Sequence, residues 1–519
     1  MFVYTLIVLC YSETQVLITN DARKVDYVMR DPANTRINVV SVMPKIELVV
    51  ESANMTGLSS VNGSAVYFYN TYWIDPILKT NFSNFRNMVA SANGGAIYYG
   101  NSKTMTIDQT NFTSNQAVKG GGAYLELAIN VSVTDSVFNR NQGQYGGGLH
   151  ITNVKTADVA NNKFINNIAT SGGGGGGMYS EIVLDRLSIR GCLFEGCTSP
   201  SSSGGAIYLV LNTGFTELLD CIFYNCTAQS YGAIYITSNT PNSIIVLKNI
   251  CGFNCSATSS VHFMQIGLLS NSDFISTIYL NYTSISQCSW TTIKSVNSRL
   301  YYGNIRVQNC NISNNKAQRY SGFYVSPTYE SQISYSTIAN NQESEFNVIF
   351  IDGSYGLMNY IKYCNVLWNN SPTDTYGIIN LNGKASSANG TQISYTIFFG
   401  NNNSLVSLQT GGSHSMVNCH IVHNLLSYSL TRISAGSLST GGIVSDITGT
   451  PTYTLEHLST FYCPSGGHLI PFEDTPCQTI PPLPSTCGIE TQGAPDPSLG
   501  LSAILHFLFS SIMSSFIFG

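Results

Sequence analysis

Charge is what this chain has least of. Of 519 residues only 10% are Asp, Glu, Lys or Arg, and the net charge is −5. Its basic residues stand singly, with no Lys/Arg stripe of the kind that neutralises phosphates, so nucleic acid is excluded as an expected partner. Helix formers are thin as well, and no segment repeats its apolar residues at the 3.6-residue period, which argues against a helical solenoid. Motifs that carry chemistry are missing. There is no paired CxxC zinc pattern, no GxSxG elbow, and no helical pattern after the glycine run 172–177 that would hold a phosphate. In NCHIVHN, His420 and His423 fall on opposite sides of a strand and cannot share an ion. No metal and no cofactor is predicted.

What the chain has instead is glycine, asparagine, tyrosine and repetition. A glycine doublet or its decayed form recurs at Gly94, Gly121, Gly147, Gly176 and Gly204, and continues as Tyr231-Gly232 and Ser259-Ser260. A second marker keeps step with it: NFTSN (111–115), VFNRN (137–141), KFINN (163–167), LFEGC (193–197) and IFYNC (222–226). Two markers in phase define a repeat of about 28 residues, so the usual estimate of several compact domains for this length does not apply.

After each doublet the residues alternate. Ala96, Tyr98, Ala123, Leu125, Leu149 and Ile151 hold one phase, and Tyr124, Glu126, His150, Thr152, Tyr179 and Glu181 the other. Period-two alternation with one apolar side is a half-buried strand. Strand and turn in succession, one coil per repeat, predict an all-β, right-handed parallel β-helix of about twelve coils. Phe112, Phe138 and Phe164 should point inward and stack. Asn115, Asn141 and Asn167 should take the left-handed conformation at the next corner and hydrogen-bond through their amides along the axis. Tyr99, Tyr124, His150, Tyr179 and Tyr324 should project outward, an aromatic strip suited to glycans or a protein partner.

The cysteines are phased with the repeat. Cys197, Cys226, Cys255 and Cys288 occupy the Asn slot, and Cys192, Cys221, Cys251, Cys310, Cys364 and Cys419 recur four to six residues before it. In an oxidising compartment the pairs Cys192–Cys197 and Cys221–Cys226 would clip a corner; the alternative is a reduced ladder of small buried side chains.

The two ends point outside the cell. Residues 1–12 hold an apolar run of signal-peptide length, with a buried first strand as the alternative. Residues 13–80 read as a cap, 81–454 as the repeats and 455–500 as a Cys/Pro-rich stalk. Residues 501–519 are an apolar tail, either a spanning helix or a lipid-anchor signal. A dozen Asn-x-Ser/Thr sequons permit glycosylation.

GGAI paired with F-x-x-N resembles the signature of polymorphic outer-membrane proteins and related right-handed β-helix repeat proteins of protist surfaces, over about residues 81–430. The resemblance implies surface exposure and roles in adhesion or host contact. The bacterial members end in a translocator barrel, which this chain lacks, so autotransport is not expected. The predicted function is a membrane-anchored, non-enzymatic surface rod that meets a host cell, a glycan or a protein ligand. A pectate lyase-like carbohydrate-active enzyme and a coat protein without specific ligand are the alternatives. The clustered acids such an enzyme needs are absent, since Asp108, Asp135, Asp158, Asp185 and Asp220 mostly fall at different phases of the coil.

Overall fold

The computed structural model describes residues 6–446, apart from 11–12, 19–24, 31–33, 42–45, 71–74, 213, 270–274, 289–295, 372–375, 385–388, 423–430, 434–436 and 443. The stalk and the apolar tail expected from the sequence lie outside the described residues.

Among the described residues every element is a β-strand, and the chain forms the parallel β-solenoid that the repeat predicts. One coil shows how. Strand Ile97–Asp108 runs along a first face, bends at Asn101 (φ 57°) and continues along a second. Its two halves pair in parallel with Val66–Asn70 and Ile77–Asn81 of the preceding coil. Gln109 (φ 45°) turns the chain into the short face, Asn111–Thr113, and Ser114 (φ 56°) turns it out again. Gln116 bridges to its neighbours on a partial fourth face, and Gly120 (φ 61°) returns the chain to strand Ala123–Thr134. Ala123 lies opposite Ile97, a step of 26 residues.

The short face counts fifteen strands, from Asn54–Thr56 to Val444–Asp446. Coiling therefore begins inside the segment read as a cap. Ile46–Glu51 pairs in register with Ile77–Asn81, and Arg36–Ser41 with Val66–Asn70. Leu6–Cys10, within the segment read as a leader, lies antiparallel to Glu13–Ile18, which in turn pairs with Arg36–Ser41.

The core is a column of rings. Phe112, Phe138, Phe164, Phe194 and Phe223 are fully buried in one row of the short face. Their ring centroids lie 4.7–5.0 Å apart and their planes within 7° of parallel. Strand spacing of roughly 4.8 Å leaves identical rings little choice but to stack offset. The column is interrupted at Gly252, opposite Phe223. Phe263 swings in from the first face to fill the gap, meeting Phe223 edge-on at 6.1 Å. Ile285, Ile312 and Ile338 carry the row onward.

Asn115, Asn141 and Asn167 are buried beside these rings, but they do not hold the left-handed position expected of them. That position belongs to the residue before, Ser114, Arg140 and Asn166 (φ 56°, 55° and 52°). The corner residue must face solvent, whereas the next residue, back in extended backbone, faces the interior. There the Asn141 amide donates to the Phe112 carbonyl at 3.0 Å and to Asn167 Oδ1 at 3.0 Å, while Asn115 N–H donates to Asn141 Oδ1. Each amide thereby satisfies backbone groups of adjacent coils that would otherwise be buried unpaired.

Cysteine enters the same ladder by mimicry. The Cys197 thiol donates to the Phe164 carbonyl at 3.2 Å and Cys226 to Phe194 at 3.4 Å, the acceptor that the amides of the asparagine coils use. Cys192 and Cys221 stand in a parallel row on the other side of the ring column and donate to the carbonyls of Val159 and Ile189. All four are free thiols, so the clips Cys192–Cys197 and Cys221–Cys226 are not formed. The reason is geometric. A whole strand, Leu193–Glu195, runs between the first two, which holds their Cα atoms roughly 10 Å or more apart, beyond the ~7 Å a disulfide tolerates. Burial pushes the Cys310 and Cys364 thiols up to about 12, so they remain protonated donors. Cys251 is the exception in the row: it lies opposite Ile222 and Ser284, one residue out of phase with the thiols, and is disulfide-bonded.

The glycine doublet has two distinct jobs. The first glycine supplies positive φ, as at Gly120, Gly146 and Gly175. The second, as at Gly121, Gly147 and Gly176, has no room for a side chain. A Cβ on Gly121 would lie 2.3 Å from the carbonyl oxygens of Gln142 and Gly147. This column runs through Gly205 and Gly232 and ends at His262, whose own carbonyl oxygen would meet a Cβ on Gly232 at 2.1 Å. The position thus falls at His262, not at Ser259-Ser260. A side chain fits there because the fourth-face sheet stops at Ser256–Ala257.

His262 Nδ1 accepts the Ala257 N–H at 3.2 Å, which makes the ring neutral, and burial lowers its pKa to about 4. A histidine in the unfolded chain titrates near 6.5. Above that pH both states are neutral and the group contributes nothing. Below it the unfolded chain takes a proton that the folded one refuses, so stability falls as pH drops from 6.5 towards 4, by on the order of 3 kcal/mol. Denaturant midpoints at pH 7 and pH 4.5 should therefore separate for the wild type and separate less in His262→Gln, the remainder coming from His150 and His414, whose pKa values burial also lowers. Equal pH dependence in the two proteins would show that His262 does not carry it.

Candidate functional site

The outward row of the first face begins as a ring column of its own. Tyr67, Tyr98, Tyr124, His150, Tyr179, Tyr208 and Tyr235 lie in register, with neighbouring ring centroids 4.6–5.5 Å apart. Three of the five strip residues expected from the sequence, Tyr124, His150 and Tyr179, are in this run. Tyr324 lies on the same row farther along, reached through Gln265 and Arg299.

Tyr99 is not on it. Tyr99 is fully buried, pairs with Leu125, and hydrogen-bonds through its hydroxyl to Thr80 Oγ1, while Tyr98 takes the outward place opposite Tyr124. Aligning Gly94 with Gly121 rather than Gly120 slips the strand by one residue, and one residue exchanges its two sides.

Along its first half the strip is closed. Tyr98, Tyr124 and Tyr179 are at most 6% exposed and His150 is wholly buried. Tyr145 lies edge-on across His150 and Tyr179. The hydroxyls of Tyr98 and Tyr124 both donate to Glu126, and Tyr179 donates to Glu181 at 3.2 Å. Burial, reinforced by these carboxylates, raises all three phenols well above their ordinary value. Burial likewise lowers the His150 pKa, against the pull of Glu181 Oε1 at 3.8 Å. This half is a seam that ties coils together, with the hydroxyls of Tyr98, Tyr124 and Tyr179 already engaged.

Beyond His262 the seam opens. With the glycine corner gone, bulky residues occupy the turn. Val296 lies opposite Val261, and Asn297 N–H donates to the carbonyl of Tyr320. A groove of about 630 Å³ results, within the range of small-molecule sites. Its floor is the continued strip, Arg299, Tyr324 and Phe350. Arg319 and Tyr320 rise on the corner side, with Tyr320 ring contacts to Tyr324 at 5.3 Å and Phe350 at 5.1 Å. Two residues along the strand from the floor stand Tyr301, Ser326, Asp352 and Asn382. Asp352 accepts from the Ser326 hydroxyl at 3.2 Å and the Ser354 N–H at 3.3 Å. Rings, two guanidinium groups, a carboxylate and an amide thus converge on one concavity, an arrangement suited to holding a polar ligand that has an apolar face.

The residues the sequence reading missed are Arg299, Arg319, Tyr320 and Phe350. Their signal is a negative one: KAQRYSGF (316–323) puts Arg-Tyr-Ser-Gly where earlier coils write the doublet. A second ring column was missed too. Tyr335, Tyr363 and Tyr395 stack at 5.1 and 5.0 Å on the corner between the second and short faces, each with positive φ.

Compared with protein families, with curated proteins and with solved structures, the chain matches none.

Proposed function

We propose that this chain is a non-enzymatic surface rod, tethered at its C-terminal tail, that recognises a glycan or protein on a host or neighbouring cell through the groove over Arg299, Tyr324 and Phe350. The observation that carries this reading is the concavity of about 630 Å³ that opens beyond His262, lined by Arg299 and the half-buried Tyr324 and backed by Tyr320 and Phe350. The repeated coils serve as the support. Every floor residue sits on a strand hydrogen-bonded to coils on both sides, so the groove is held rigid, and little ordering entropy is lost on binding. The apolar runs near the two ends support secretion and anchoring, and the resemblance to repeat-bearing surface proteins supports the same reading.

The test is adhesion. Tyr324→Ala removes a ring from the floor and should lower binding of the intact protein to target cells at least tenfold, with unchanged circular dichroism. Tyr98→Ala, in the closed seam, should lower the thermal midpoint and leave the affinity of the folded fraction unchanged. Undiminished cell binding by Tyr324→Ala would refute the groove as the recognition site.

A further inference from the structure

We propose that the groove binds a saccharide carrying an anionic group; this rests on the reading of the groove as the recognition site and names its ligand class. Positive charge in the groove is left unpaired and partly shielded from water. Three outer-surface arginines are matched, Arg190 with Asp158 at 2.7 Å, Arg306 with Glu330 at 2.6 Å and Arg186 with Glu217, while Arg86 and Arg140 stand exposed to water, which solvates their charge. Among the described residues Arg299 and Arg319 have no carboxylate within ion-pairing distance. Arg299 makes one long contact, Nη1 to Gln265 Oε1 at 3.4 Å. The Nε atoms of both are shielded from solvent and have no hydrogen-bond partner.

Both guanidinium groups are nonetheless held in place. Arg299 lies over the Tyr324 ring at 5.2 Å and Arg319 over the Phe346 ring at 4.4 Å. Stacking on rings fixes a guanidinium without using its Nη donors, which are left for an anion. Arg299 on the floor and Arg319 on the corner side of one cavity make it a site for a carboxylate or sulfate, recognised by N–H donors.

The other walls select what carries the anion. Tyr324 offers partly exposed ring surface for the C–H face of a sugar, backed by the buried rings of Tyr320 and Phe350. Asp352 and Asn382 offer acceptors for hydroxyls, and Asn382 Oδ1 has no partner. A bare inorganic anion would leave the rings and acceptors unused. A neutral sugar would leave both arginines unpaired. An anionic sugar uses all three kinds of wall at once.

Calorimetric titration of the intact chain with 3′-sialyllactose, 3′-sulfolactose and lactose separates the cases. The expected result is binding of a charged lactose at least tenfold tighter than lactose, weakening as salt rises. That preference should fall at least tenfold in Arg299→Gln and in Arg319→Gln, both checked for native circular dichroism. Whichever charged sugar binds better identifies the anion as carboxylate or sulfate. Lactose binding as tightly as either, with both arginine variants unaffected, overturns the anionic assignment and leaves the recognition groove standing. No binding of any of the three, while Tyr324→Ala still abolishes cell adhesion, overturns the saccharide and keeps the groove. Failure of both assays sinks the two readings together.

Discussion

Gly147→Ala is expected to unfold the middle of the rod. A Cβ there would lie 2.4 Å from the Gly176 carbonyl oxygen and 2.5 Å from that of Ile168. Both are backbone atoms fixed by hydrogen bonds, so neither can step aside as the end of a side chain would. Gly147 does not have positive φ, and its requirement for glycine is therefore purely one of space. Relief means parting two coils and losing ladder bonds such as Gly147 N–H to Gly175 O (3.1 Å) and Gly148 N–H to Gly177 O (3.1 Å). Each buried donor left unpaired costs about 1–3 kcal/mol, so several together exceed about 4 kcal/mol. Gly172→Ala is the control: its φ of 56° makes alanine mildly strained, but nothing lies within 4 Å of the added carbon. A urea midpoint for Gly147→Ala no lower than that of Gly172→Ala would remove the spatial account of the doublet.

Phe164→Ala is the second large effect. The ring is fully buried and stacked on both sides, at 4.9 Å to Phe138 and 4.7 Å to Phe194. Truncating a core Phe to Ala costs about 3–5 kcal/mol, and two lost ring contacts place this site at the upper end. Because each coil contacts only its neighbours, the loss should be local at first: protease cuts should appear within coils around residue 164 before the ends of the rod melt. Phe82 makes the opposite case. It is 56% exposed with φ 51°, so Phe82→Asn should be neutral or slightly stabilising, since Asn accepts that backbone at lower cost. Comparable destabilisation by the two substitutions would mean the ring column is not what holds the coils.

The candidate site was only half legible before the fold was known. Tyr124, His150 and Tyr179 share the predicted row because each follows a well-formed doublet, but that row is covered there instead of projecting free. Tyr99 was misplaced because GGAIYYG contains two adjacent tyrosines, and the doublet alone does not say which of them faces out. The ladder role of Asn141 was readable from F-x-x-N, but its backbone was not. Nothing in a single copy distinguishes the residue that turns from the residue that bonds. The cysteine clips failed for a related reason, since spacing along the chain says nothing about the extended strand that separates Cys192 from Cys197. The groove was invisible because its residues mark where the repeat decays, and a search for recurrence passes over what stops recurring.

A 28-residue rhythm, alternation after each doublet and the poverty of charge were enough to require stacked parallel coils around an apolar axis, because no isolated copy could bury its own inner side. Which tyrosine faces out, whether a thiol bridges or donates, and where the rod opens into a cavity were settled only when coil met coil. Those outcomes depend on the register of hydrogen bonds and on the space between neighbouring backbones, and both are properties of pairs of coils rather than of any one stretch of residues.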